Sequence, residues 1–160
     1  MKPSSISQLQ KELSTLEPKQ VLEICIRLAK YKKDNKELLS YLLFDAIDEE
    51  RYVTNVKEEI DRLFGEINRM NAYTTKKGLQ KVVRNMNKYI RYSNASTTEI
   101  EIRIHFCNKV RSTRIDLNSS AVISNIFYRE INKIKSSFLK LHEDLQYDYK
   151  EVIEKLGITV

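Results

Sequence analysis

Residues 97–111, TTEIEIRIHFCNKVR, decide the fold. Ile100, Ile102, Ile104 and Phe106 alternate with Glu99, Glu101, Arg103 and His105, the two-residue period of a half-buried strand. The same residues also read as a helix. Ile100, Ile104, Cys107 and Arg111 share one stripe, with Ile102, Phe106 and Val110 beside it. A strand needs a partner for its backbone N–H and C=O groups, and the chain offers no second strand pattern. The segment is therefore predicted as helix, opened by Ser96 and Glu99 at capping-box spacing.

The flanking sequence agrees with that choice. Downstream, Asn118, Ser119 and Ser120 form a turn and cap. Ile123, Ile126, Phe127, Ile131, Ile134, Phe138, Leu141 and Leu145 then predict one long amphipathic helix. Asp148 is expected to cap a short last helix that buries Val152, Ile153 and Leu156 and closes at Gly157. Upstream, Leu79, Val82, Val83, Met86 and Ile90 line a fifth helix, with Thr74 expected as its N-cap. Val53, Val56, Ile60, Leu63, Phe64, Ile67 and Met70 line a fourth, whose start at Asp48, Glu49 and Glu50 complements the helix dipole.

The N-terminal quarter follows the same period. Ile6, Leu9, Leu13 and Leu16 line a first helix, and Val21, Leu22, Cys25, Leu28 and Ala29 line a second. The second is expected to open at Pro18 behind a Ser14/Glu17 capping box. Residues 32–36 read as a short turn. Leu38, Leu39, Tyr41, Leu42, Leu43 and Phe44 make the third helix apolar on most sides, which predicts a central position. The expectation is one all-α domain over 1–160, with seven to eight helices in antiparallel pairs. An irregular bundle and a short α-α superhelix both satisfy it.

Composition narrows the function. Three Gly and two Pro among 160 residues disfavour a β-sandwich or barrel, and Gly65, Gly78 and Gly157 are too far apart for a phosphate loop. At 41% hydrophobic and 31% charged residues, the chain is expected to fold around a core and not to be disordered. Two cysteines, Cys25 and Cys107, make no disulfide framework and read as core residues. No apolar run reaches signal-peptide or bilayer length, so a cytoplasmic protein without a membrane segment is expected.

Charge is concentrated in one region. Residues 1–66 hold 11 basic and 13 acidic side chains, 67–142 hold 15 and 4, and 143–160 hold 2 and 5. Between Glu66 and Glu99 there are seven Lys or Arg and no carboxylate. Five of them, Lys77, Lys81, Arg84, Lys88 and Arg91, step by 4, 3, 4 and 3 and fall within an arc of about 80° opposite the apolar face. Like charges at this spacing repel by about 0.2–0.5 kcal/mol per pair. Three readings follow: a plain solvated face, relief by Glu58, Glu59, Asp61 and Glu66 of the fourth helix, or a site for a polyanion or acidic partner with Tyr92 at its flank.

Motifs for chemistry are absent. His142, Glu143, Asp144, Gln146 and Asp148 split between two helix faces, and His105 and Cys107 do not share one, so no metal site is expected. No nucleophile-elbow, zinc-protease or P-loop sequence occurs, and two histidines support no triad. Neither catalysis nor a cofactor is expected. Nine Tyr without Trp read as packing at helix ends, with a protein-contact surface as the alternative.

Two phrases, YKKDNKELLSYLLF over 31–44 and LHEDLQYDY over 141–149, resemble uncharacterised bacterial all-helical proteins of HEAT-like helical-pair architecture. The resemblance implies stacked helical pairs and a bacterial cytosolic setting, and it carries across no catalytic or binding residue. The expected role is a non-catalytic helical scaffold or interaction module, working through a protein partner or self-association. The alternative is binding of nucleic acid or another polyanion on the ridge of Lys77, Lys81, Arg84, Lys88, Arg91 and Tyr92.

Overall fold

A computed structural model describes residues 2–157, and all regular structure among them is helical. The α-helices are α1 (Ile6–Ser14), α2 (Pro18–Tyr31), α3 (Lys33–Ser40), α4 (Glu49–Gly65), α5 (Ala72–Ser93), α6 (Ser96–Ser112), α7 (Ala121–Phe138) and α8 (Glu143–Lys155). A wide π-type turn covers Tyr41–Asp45, and a 3₁₀ turn covers Leu117–Ser119. The chain divides into two compact units, Met1–Phe44 and Asp45–Val160.

The second unit is built around α6, which packs against α4, α5 and α7. Ile100, Ile102, Arg103, Ile104, Phe106, Cys107 and Val110 are all buried. This explains the strand-like alternation. A helix enclosed by three neighbours needs apolar residues around most of its circumference, so its two-residue period reflects burial on several sides. The apolar faces predicted for α4 and α5 are buried as expected, apart from Met70, which lies beyond α4 and is exposed. Asn94, at φ +57°, ends α5 in the left-handed conformation and turns the chain into α6.

Gly78 lies inside α5 for a steric reason. A Cβ there would stand 2.8 Å from Cγ2 of Ile67 and 2.9 Å from its Cγ1, and Ile67 is buried and β-branched. Gly65, the last residue of α4, has nothing within 4 Å of such a Cβ. The two glycines should therefore respond oppositely to alanine. Gly65→Ala should gain up to about 1 kcal/mol of helix propensity. Gly78→Ala should lose about 1 kcal/mol net, because crowding of about 1–3 kcal/mol outweighs that gain. Urea denaturation of both variants reads the signs, and Ile67→Ala should relieve the second.

The first unit has little core. Tyr41 is its only buried apolar residue among those described. α2 packs along α3, and Asn35 Nδ2 donates to the Leu28 carbonyl at 2.9 Å across their junction. Several local expectations are corrected in this unit. The break between α2 and α3 is the single extended residue Lys32, and 33–36 already belong to α3, so the charged run is helix and not turn. The third helix is not central: Leu42, Leu43 and Phe44 are exposed in the wide turn that follows it. Ser14 does not cap α2, because its hydroxyl donates to the Lys11 carbonyl. Glu17 takes the cap position, with its N–H donating to Gln20 Oε1 at 3.0 Å.

Further corrections lie in the second unit. Asn71, not Thr74, caps α5, its side chain accepting from the Thr74 N–H at 2.9 Å. Ala95 occupies the cap position of α6, which frees Glu99 for a longer-range role. The long C-terminal stripe is two helices. α7 ends at Phe138, and His142, not Asp148, caps α8. α7 therefore does not reach Leu141 or Leu145: Leu141 is half-buried ahead of α8, and Leu145 on α8 is exposed. Gly157 follows α8 at φ +68°, as expected of a C-terminal glycine.

Candidate functional site

α5 carries all six predicted binding residues. From Lys77 to Tyr92 they cover about 22 Å of helix at 1.5 Å per residue. Their opposite face, Leu79, Val82, Val83, Met86 and Ile90, is buried in the second unit, which fixes the ridge outward.

Of the four carboxylates expected to relieve this charge, one bonds a ridge cation. Glu66 accepts from Lys81 Nζ at 2.8 Å. Glu59 is held by Arg62 of its own helix, and Glu58 is exposed. Asp61 faces α6, where it pairs with His105 at 2.7 Å and Lys109 at 2.9 Å. The hydrogen bond from Lys81, with the nearby charge of Arg62, holds the Glu66 carboxyl below its ordinary value.

Aromatic rings accompany the remaining cations. Lys77 Nζ stands 4.5 Å from the centroid of the Tyr73 ring, and a hydrogen bond from Lys77 lowers the phenol's pKa. Lys88 Nζ lies 5.1 Å over Tyr89, whose ring meets that of half-buried Tyr92 edge-on at 6.3 Å. Arg84 and Arg91 are exposed and have no hydrogen-bond or ion-pair partner among the described residues. The ridge thus holds five cations, of which Lys81 is paired with Glu66, and among the described residues the guanidinium groups of Arg84 and Arg91 have no partner. It can position an extended anion, with Tyr73 57% exposed beside it.

Other polar groups meet only through folding. Buried Arg103 donates from Nε to Glu99 at 2.8 Å and pairs with fully buried Glu130 of α7. Lys133 also reaches Glu130, at 3.0 Å. Ser137 donates to the second Glu99 oxygen at 2.8 Å. Burial works to raise the Glu99 carboxyl, but the bonds from Ser137 and Arg103 prevail and keep its pKa low. Asp61 shows the same balance, with Lys109 and His105 overcoming burial. Between α4, α6 and α8, Lys57 and Tyr149 both donate to Glu101, at 2.8 and 3.0 Å. Burial and the Glu101 charge push Tyr149 up to about 12.

These groups line an open concavity of about 310 Å³ formed by Lys57, Glu101, Ile104, His105, Asn108, Tyr149 and Val152. Lys57 pairs with Glu101 inside it, and His105 with Asp61 outside its lining. Cys107 is buried and its thiol is pushed up to about 12, far from an active thiolate. Among the described residues no group of three or more His, Cys, Asp or Glu could hold a metal, and no helix is long and apolar enough to cross a membrane. Sequence reading missed the Arg103–Glu130 and Asp61–His105 pairs. Only Glu99 and Arg103, four residues apart, left a local signal.

The first unit presents a second surface. Among the described residues, twelve of its large apolar residues are at least 36% exposed, against nine in the longer second unit. α2 is apolar around most of its circumference. Val21, Cys25 and Ala29 are half-buried, while Leu22 and Ile26 on one flank and Ile24, Leu28 and Tyr31 on the other are exposed. Comparison with protein-family models, curated proteins and solved structures finds no match to this chain.

Proposed function

We propose that this protein is a non-catalytic interaction module whose N-terminal helical pair docks a protein partner. The observation that carries the reading is the contrast in burial: among the described residues, 26 apolar residues are buried in the second unit, and one in the first beside twelve exposed. Contiguous exposed apolar surface marks association sites, and a helical pair of this size cannot enclose a core alone. A bacterial cytosolic setting and HEAT-like stacking of the pairs belong to the same proposal. Site-specific photo-crosslinking in the expressing cell tests it. A photoreactive residue at Leu22 or Leu28 should give discrete protein adducts, and one at exposed Arg129 should give none. No adduct at either leucine, or equal labelling at all three, overturns it.

The free Arg84 and Arg91 favour a second reading, polyanion binding on α5. They also give a cleaner test than Lys81, whose reversal would set a new carboxylate against Glu66. Arg84→Glu with Arg91→Glu should reduce the salt slope of oligonucleotide binding by about 0.9 for each phosphate left without a cation. Stability should stay within about 0.5 kcal/mol. Absence of binding at low salt, or an unchanged slope, removes this reading.

A further inference from the structure

We infer that the groove between α2 and α3 accepts an acidic amphipathic helix of a partner protein. This rests on the interaction-module reading above and assigns the chemistry of its partner. The groove has a volume of about 500 Å³ and is lined by Ile26, Ala29, Lys30, Lys32, Lys33 and Lys36. Ile26 and Ala29 form an apolar floor, and Leu22, four residues before Ile26, extends it along α2. These positions run for about 10 Å along the helix, two turns of a docked apolar stripe.

The rim is entirely lysine, and no carboxylate lines the groove. Lys33 makes an exposed pair with Glu37 at 3.6 Å, which leaves three more ammonium groups around the floor. An occupant must therefore bring apolar side chains at helical spacing and carboxylates on their flanks. A second copy of this surface fits poorly, because residues 1–44 carry eight basic and five acidic side chains and would oppose lysine with lysine. A nucleic acid would find no aromatic ring in the lining to stack on. A lipid surface is flat and suits a convex face, whereas a concave groove suits a cylinder about 10 Å across.

The probe is a labelled model peptide of roughly five helical turns, with leucines at i, i+3, i+4 and i+7 and glutamates flanking them. Fluorescence anisotropy with the full-length chain should show binding that weakens with salt and is at least about tenfold tighter than for the same peptide with lysine for glutamate. Lys33→Glu with Lys36→Glu should weaken binding by about tenfold or more, and Ile26→Asp should abolish it. Arg84→Glu with Arg91→Glu should leave it unchanged, since the ridge is not involved.

Equal affinity for the lysine peptide, or loss of binding in the ridge variant instead of the groove variant, overturns the inference. Binding to phosphatidylglycerol vesicles without binding to the peptide, or self-association weakened by Ile26→Asp, overturns it in favour of a membrane or a second copy. Photo-adducts at Leu28 without peptide binding would leave the module reading standing and remove the acidic class. Absent adducts would remove both.

Discussion

Arg103→Met is expected to cost about 3–5 kcal/mol of stability, because it leaves the Glu130 carboxylate in a protein interior without its main partner. The Glu130 side chain is fully buried and that of Arg103 is 5% exposed. Lys133 and Arg129 approach Glu130 from the outside, at 3.0 and 3.5 Å, and cannot replace a guanidinium that also holds Glu99. The double variant Arg103→Met with Glu130→Leu should recover most of the loss, since removing both charges also removes their desolvation cost. Urea denaturation followed by far-UV circular dichroism reads both values. A loss below about 1 kcal/mol in the single variant would show that the pair does not hold α6 to α7.

This pair also shows where sequence reading ends. Glu99 and Arg103 are one helical turn apart, so their bond is legible locally. Glu130 lies 27 residues from Arg103, and nothing in its own neighbourhood marks it as buried. Its position on α7 follows only from how α6 and α7 pack. The apolar faces of α4 and α5 were legible because each is set by a period within one helix. The order of centrality was not. Leu42, Leu43 and Phe44 look like core by composition, yet they are exposed, and the segment that resembled a strand is the buried helix. Hydrophobicity says that a residue needs cover without saying which chain supplies it.

The basic ridge shows the same division. The arc of Lys77, Lys81, Arg84, Lys88 and Arg91 follows from helix geometry alone. Which α4 carboxylates face it depends on the rotation of α4 against α5. Of the four candidates, Glu66 reaches the ridge, while Asp61 turns to α6. The lysines of the α2–α3 groove are legible as a charged run but suggest a turn, because the connection is only one residue long.

Phe106→Ala should be as damaging as the loss of Arg103, at about 3–5 kcal/mol, for a different reason. Phe106 is fully buried on α6, and its ring lies 5.6 Å from that of Phe64 at a tilt of 50°. Alanine there forfeits the transfer free energy, leaves a cavity between α4 and α6, and removes a ring pair worth about 0.5–1.5 kcal/mol. Phe44→Ala and Leu28→Ala remove side chains of similar character that are 64% and 55% exposed. Each should change stability by no more than about 0.5 kcal/mol. Thermal or urea unfolding of the three variants measures the contrast directly. Losses of several kcal/mol at Phe44 or Leu28 would mean that the first unit has its own core and no surface to offer. If the contrast holds, the apolar side chains of the first unit do not stabilise the isolated fold, and burial against a partner is what accounts for them.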